Sequence, residues 1–212
     1  MVKVYIADFT RLPDPKDRKE LMVSLNAERR LRIAKAANEK ARRQCLGSAL
    51  MLNAVLCDHG FNPNDVKVNS YGKPEIEGLH FNLSHSGNFV ACAVSDHPVG
   101  CDIEKLREAP RKVSNRFFSE QEKQWLESLG GIAFDQEFFR LWTMKESYVK
   151  MVGVGMRLPF HAFEVRMDEN AAVYQEGEKQ ECFLQEYEVP GYRLTVCAKE
   201  PEFEELAWKR LI

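Results

Sequence analysis

Residues 88–104 read NFVACAVSDHPVGCDIE, and this stretch decides the fold. Two apolar runs, 88–95 and 98–104, flank the turn residues Asp96-His97-Pro98, so they read as two buried strands. In the second run, residues two apart project from one face. Asp102 and Glu104 therefore stand side by side, while Val99, Cys101 and Ile103 point the other way. Two adjacent carboxylates repel unless a cation or proton lies between them. Hard oxygen donors of this kind suit magnesium, which keeps few protein ligands and fills its shell with phosphate and water. The plain alternative is a solvated strand end followed by Lys105.

Upstream, residues 2–8 alternate as a strand. Residues 15–40 read as a charged helix with an apolar stripe of Leu21, Met22, Leu25 and Leu31, and a second helix runs from about Ala41 to Cys57, stopping at Gly60. Val66 and Val68 alternate, Tyr71-Gly72-Lys73-Pro74 is a turn, and residues 80–83 are extended. Downstream, the polar run 105–112 changes composition abruptly and reads as the connection between two halves, 1–104 and 113–212. Ser119 and Glu122 form a capping box. A long helix follows from about Phe134 to Met151, then strands at 162–167, 181–188 and 191–198. The order permits two similar α/β halves, an α+β chain overall.

The chain has 212 residues, is 44% hydrophobic and carries a formal charge of −2. No global basic field is available for nucleic acid or anionic lipid, so any anion site must be local. No apolar run approaches membrane-spanning length. The six cysteines form no CxxC pair and have no accompanying His cluster, which reads as reduced thiols in a cytoplasmic protein. The opening MVKVYIADF reads as a strand rather than a signal peptide.

Two further stretches can carry chemistry. In LWTMKESYVK (141–150), Glu146 and Lys150 are four apart on a helix face shared with Trp142. The bland account is a surface ion pair. The aromatic neighbourhood argues instead for partial desolvation, which is how catalytic acids and bases are tuned. In Asn82-Leu83-Ser84-His85-Ser86-Gly87, hydroxyls, an imidazole and a glycine make an anion cradle or simply a polar turn. The cations Arg29, Arg30, Arg32, Lys35, Lys40, Arg42 and Arg43 form a solvated face or grip phosphate.

The series GKP (72–74), FNLSHSG (81–87), GCDIE (100–104), FFSEQE (117–122) and LWTMKESYVK resembles, in order and spacing, the long, two-half 4′-phosphopantetheinyl transferases that activate nonribosomal peptide and polyketide synthases. The resemblance spans about Arg29 to Pro159. It implies a pseudo-dimer of two α/β halves with coenzyme A in the cleft between them. It also implies transfer of the phosphopantetheine arm to a serine of an apo acyl or peptidyl carrier protein. By motif position, Asp102, Glu104 and Glu146 would be magnesium ligands, and Glu146 the candidate base. Asp102 and Lys150 join Glu146 as catalytic residues, Lys150 sitting on the pyrophosphate. Lys73, Ser84 and His85 would hold coenzyme A phosphates, with Arg43 and, from the first helix, Arg29 and Arg32 at the nucleotide end. A two-half chain can complete such a cleft as a monomer. A magnesium-dependent pyrophosphate hydrolase, a coenzyme A binding module and a structural protein are the rival readings.

Overall fold

The computed structural model describes residues 1–70, 72–167 and 170–212. In chain order the elements are β1 (Val2–Asp8), α1 (Ala27–Ala34), α2 (Glu39–Asp58), β2 (Lys67–Val68), β3 (Pro74–Glu75), β4 (His80–Ser86), β5 (Phe89–Ser95) and β6 (Val99–Lys105). They continue with α3 (Arg111–Phe117), α4 (Glu120–Glu127), α5 (Gly131–Val152), β7 (Glu164–Met167), β8 (Ala171–Gln175) and β9 (Glu178–Lys179), then β10 (Phe183–Val189), β11 (Tyr192–Ala198) and β12 (Phe203–Trp208). Of the expected turn at 71–74, Tyr71 lies outside the described residues, and Gly72 adopts φ +79°.

A topological repeat underlies the α+β architecture. In the first unit, β1 is followed by the long helix α2 and the hairpin β4–β5, giving the strand order β1-β5-β4. In the second, β6 is followed by the long helix α5 and the hairpin β10–β11, giving β6-β11-β10. Each central strand pairs antiparallel with both neighbours. The chain's last strand, β12, returns to the first sheet and pairs parallel with β1.

The alternation of side chains sorts these units into layers. Val4, Ile6, Ala91 and Ala93 of the first sheet meet Cys101, Ile103, Leu194 and Val196 of the second. On its other face the first sheet packs Ala7, Val90, Cys92 and Val94 against Leu46, Leu52 and Val55 of α2. The second sheet carries α5 in the same way, with Cys197 beneath Met144 and Met151. Strands covered on both faces read as continuous apolar runs rather than alternating ones, which is why residues 88–104 look uniformly apolar.

Several expectations change. The helix expected over 15–40 is two short pieces, a 3₁₀ turn at Lys19–Met22 and α1. Asn26 and Asn38 each accept a backbone N–H as an N-cap, from Arg29 and Ala41, and so start α1 and α2 separately. Leu25 is buried, but Leu31 of the expected stripe is exposed. Sheet pairing puts β6 with β11, so the chain changes sheet at Asp96-His97-Pro98, and residues 105–112 lead from β6 into α3. Neither β8 nor β12 was anticipated.

Two contacts set α5 in place. The first is Gly100 in β6. A Cβ there would run into the Ser147 carbonyl oxygen and the Met151 amide nitrogen, and would lie 2.9 Å from the Lys150 carbonyl carbon. Helix and strand touch backbone to backbone at this point. The second is a buried ion pair. Lys145 is fully buried, and its Nζ donates to Glu122 Oε1 (2.7 Å), Glu122 Oε2 (2.8 Å) and the Phe163 carbonyl (2.7 Å). Glu122 also accepts from the backbone N–H groups of Ser119 and Val165, so α4, α5 and β7 are tied at one carboxylate. Burial pushes the Lys145 pKa down to about 8, against the raising effect of Glu122.

Gly100→Ala should lower the unfolding free energy by about 1–3 kcal/mol, since the added methyl meets backbone that cannot rotate away. Urea denaturation measures it, and an unchanged midpoint would mean that α5 is not seated on β6. Lys145→Met should cost about 3–5 kcal/mol, because it leaves a buried carboxylate without its cation. A loss under about 1 kcal/mol would mean that water reaches Glu122.

Candidate functional site

The edges of the two sheets, β4 and β6, lie side by side and are joined through side chains. Cys101 N–H donates to Asn82 Oδ1 (3.0 Å), Ser84 Oγ donates to Asp102 Oδ1 (2.7 Å), and Ser86 Oγ donates to Glu104 Oε2 (2.9 Å). The period of two on each strand makes this possible: Ser84 and Ser86 share a face of β4, as Asp102 and Glu104 share a face of β6. Each carboxylate is thereby held through one oxygen by a hydroxyl from the opposite sheet.

Each carboxylate also has its own cation. Lys150 Nζ, from α5, donates to Asp102 Oδ1 (2.6 Å), the Cys101 carbonyl (3.1 Å) and Ser84 Oγ (3.3 Å). Arg107 donates to Glu104 Oε2 (2.9 Å). Burial raises the Asp102 pKa, partly offset by Lys150. Burial works against the charge on Lys150, but Asp102, Cys101 and Glu146 together offset it and the Lys150 pKa is raised. Glu146, one turn before Lys150 on the same face of α5, is different. Burial, then the charge of Asp102, push its pKa up to about 7, with Lys150 opposing. Among the described residues Glu146 has no ion-pair partner.

Glu146 and Lys150 open onto a groove. One part, a cavity of about 590 Å³, is lined by Lys73, Glu146 and Lys150 together with Phe117, Trp142 and Phe160. An adjoining cavity of about 290 Å³ shares Gly72, Pro74 and Asn82 with it and is lined by Arg29, Arg32 and His85. Lys73 Nζ donates to the Lys150 carbonyl (3.1 Å), at the C-terminal end of α5, and burial lowers its pKa. The His85 ring hydrogen-bonds Gln44. Its pKa is lowered by partial desolvation and then by the charges of Lys150 and Arg32. Arg29 is held by Asn53, and Arg32 is exposed. Arg43 lines a different cavity, with Thr10, Lys40 and Asn88, and pairs with Glu39. Arg42 is committed to a buried pair with Asp14. Phe118 is core, whereas Phe117 lines the groove.

The sequence reading singled out Ser84 but missed what its hydroxyl holds, and it missed Ser86 and Arg107 as partners of Glu104. The signal for Ser86 was present: two residues of spacing in the Ser84–Ser86 pair match the Asp102–Glu104 pair.

Asp102, Glu104 and Glu146 offer hard carboxylate oxygens, and Asp102 Oδ2 is buried without a hydrogen-bond partner. The donor chemistry fits a hard divalent cation. The ligand geometry is not assembled: among the described residues no group of three or more His, Cys, Asp and Glu is arranged to hold a metal ion.

The raised pKa of Glu146 carries a pH signature. The unfolded chain ionises this carboxyl first, so the folded state binds the extra proton between about pH 4.5 and 7. Stability contributed by Glu146 is therefore lost as pH rises through that window. In chelator-containing buffer, Glu146→Gln should gain stability relative to the parent from pH 4.5 to 8, read by thermal unfolding. A constant difference would mean that Glu146 titrates normally.

A model of the 4′-phosphopantetheinyl transferase superfamily matches residues 98–197, which run from the start of β6 to the end of β11. The chain is 36% identical to 4′-phosphopantetheinyl transferase ffp of Bacillus subtilis over 213 residues, covering 96% of this chain and 95% of that protein. It is 33% identical to 4′-phosphopantetheinyl transferase Sfp of Bacillus subtilis strain 168, with the same coverage. A solved holo-(acyl-carrier-protein) synthase from Bacillus anthracis, in complex with CoA (3′,5′-ADP), aligns at a TM-score of 0.42 and 22% identity, covering 48% of this chain and 93% of that one. With similarity to curated transferases running through nearly the whole chain, the GCDIE strand and the KESYVK helix included, this protein belongs to the 4′-phosphopantetheinyl transferase family.

Proposed function

We propose that this chain transfers the 4′-phosphopantetheine arm of coenzyme A to a serine hydroxyl of an apo acyl or peptidyl carrier protein, releasing 3′,5′-ADP. The observation that carries the reading is one groove with unpaired cations at one end and Glu146 and Lys150 at the other, with Asp102 buried behind Lys150. Such a groove suits a molecule with phosphates along its length and a reacting pyrophosphate at one point.

In the reaction, the serine oxygen attacks the β-phosphorus, the bond from that phosphorus to the bridging oxygen breaks, and 3′,5′-ADP leaves with the electron pair. The serine proton passes to Glu146. As a carboxylate facing the groove, Glu146 can accept it. Lys150, fixed beside Asp102, supplies positive charge where the leaving oxygen becomes negative. Lys73 and His85 face the phosphates, and Arg29 and Arg32 the nucleotide end; Arg43, which lines a separate cavity and pairs with Glu39, stands outside the groove. Ser84 acts through Asp102, because its hydroxyl hydrogen is already engaged there. Asp102, Glu104 and Glu146 would hold magnesium, which when bound neutralises pyrophosphate charge.

The same reading treats the chain as a cytoplasmic monomer serving the carriers of peptide and polyketide synthases. It places coenzyme A between two halves, 1–104 and 113–212, with β12 returned to the first sheet. No helix among the described residues is long and apolar enough to cross a membrane.

Intact mass spectrometry of an apo carrier incubated with coenzyme A and magnesium should show the gain of one phosphopantetheine. Release of 3′,5′-ADP with an unmodified carrier would mean that water is the nucleophile. Glu146→Gln should slow transfer by about a hundred- to ten-thousand-fold with coenzyme A affinity nearly kept, and Asp102→Ala should abolish transfer in a chain that still folds. A near-native rate in Glu146→Gln would remove Glu146 as the base.

A further inference from the structure

The two carboxylates of β6 differ in how firmly their cations are held. Lys150 is fixed on Asp102 by three acceptors, one of them a main-chain carbonyl. Arg107 reaches Glu104 from the polar segment after β6, and 54% of its side chain is exposed, against 26% for Lys150. Its other contacts do not depend on Glu104. The same guanidinium donates to the Lys105 carbonyl (2.8 Å) and lies 4.5 Å from the centre of the Phe139 ring. Arg107 can therefore leave Glu104 and keep both a hydrogen-bond acceptor and an aromatic face. Ser86 keeps Glu104 in position whether or not the arginine stays.

We propose that Arg107 is a displaceable internal counter-ion: it neutralises Glu104 in the free chain and competes with the divalent cation for that carboxylate. The inference rests on the reading of Asp102, Glu104 and Glu146 as cation ligands. Asp102 Oδ2, buried and without a hydrogen-bond partner beside the pair, is the independent sign that a cation is wanted there. A cation arriving at Glu104 meets both the occupied oxygen and the repulsion of the guanidinium. Removing the arginine removes both. The competition weakens cation binding by the free chain.

The test is calorimetric titration of the full chain with manganese(II) alone, without coenzyme A or carrier, for the parent, Arg107→Gln, Arg107→Lys and Asp102→Asn. Arg107→Gln should bind roughly three- to tenfold more tightly at low salt. The gain should shrink as added salt screens the half-exposed pair. Arg107→Lys, which keeps the charge, should stay within about twofold of the parent. Equal or weaker binding by Arg107→Gln, with binding lost in Asp102→Asn, would overturn the competition and leave the cation site standing. Absence of binding in every variant would overturn both.

Discussion

Ser84 gives its hydroxyl hydrogen to Asp102, and Lys150 closes on the same oxygen from α5. Three elements, β4, β6 and α5, meet at that one carboxylate. It is also where the first sheet, the second sheet and the helix above the second sheet come together. On either side of it the sheet edges are joined by further contacts, Asn82 with Cys101 and Ser86 with Glu104 and the Lys105 N–H. A buried charge tied on several sides is costly to break and specifies geometry more than it stabilises. Here the geometry it specifies is the position of α5's charged face over the end of β6.

That position follows from Gly100. Only a residue without a Cβ lets the helix backbone approach β6 this closely. Lys145, about 100° round α5 from Glu146, then opposes rotation by anchoring to Glu122. The adjacent residues Lys145 and Glu146 thus have opposite roles. One is fully buried and satisfied by three acceptors; the other faces the groove with a pKa displaced toward neutrality. A helix turns about 100° per residue, so neighbours in sequence face different surroundings.

This explains what the sequence could and could not disclose. The strands at 88–104 and the paired carboxylates were legible, because both rest on local periodicity. The capping box at Ser119 was legible too, but its Glu122 gave no sign of being the buried partner of Lys145, a contact that crosses from α4 to α5. The boundary between α1 and α2 was placed at 40/41, late by a few residues, because charged residues continue across it and only the Asn38 cap marks it; the separation of the 3₁₀ turn from α1 inside 15–40 was missed. The polar run 105–112, where composition shifts, was read as the connection between two halves; the change of sheet is a separate event. It occurs at Asp96-His97-Pro98, where composition stays apolar on both sides, since the strands before and after are both buried on two faces. β12 pairs with β1 across nearly the whole length of the chain, and no local pattern encodes such a partner. Ser86 and Arg107 were missed for the same reason: each matters through a residue on another segment or beyond a strand end.

Several charges of this chain are settled in pairs. Arg42 goes with Asp14, Arg140 with Glu186, Lys145 with Glu122, Lys150 with Asp102 and Arg107 with Glu104. Three groups without such a partner are distinguished by their position. Among the described residues, Arg29 and Arg32 have no acidic partner within ion-pair distance, and Glu146 has no basic one. All three line the same groove, the arginines toward one end and the glutamate toward the other. A net charge of −2 conceals this separation, because bulk charge averages over pairs that cancel. The uncancelled cations favour an extended polyanion, and the uncancelled acid can take a proton at the point where the chemistry is proposed to occur. A groove that merely bound the ligand would use the first feature and have no use for the second.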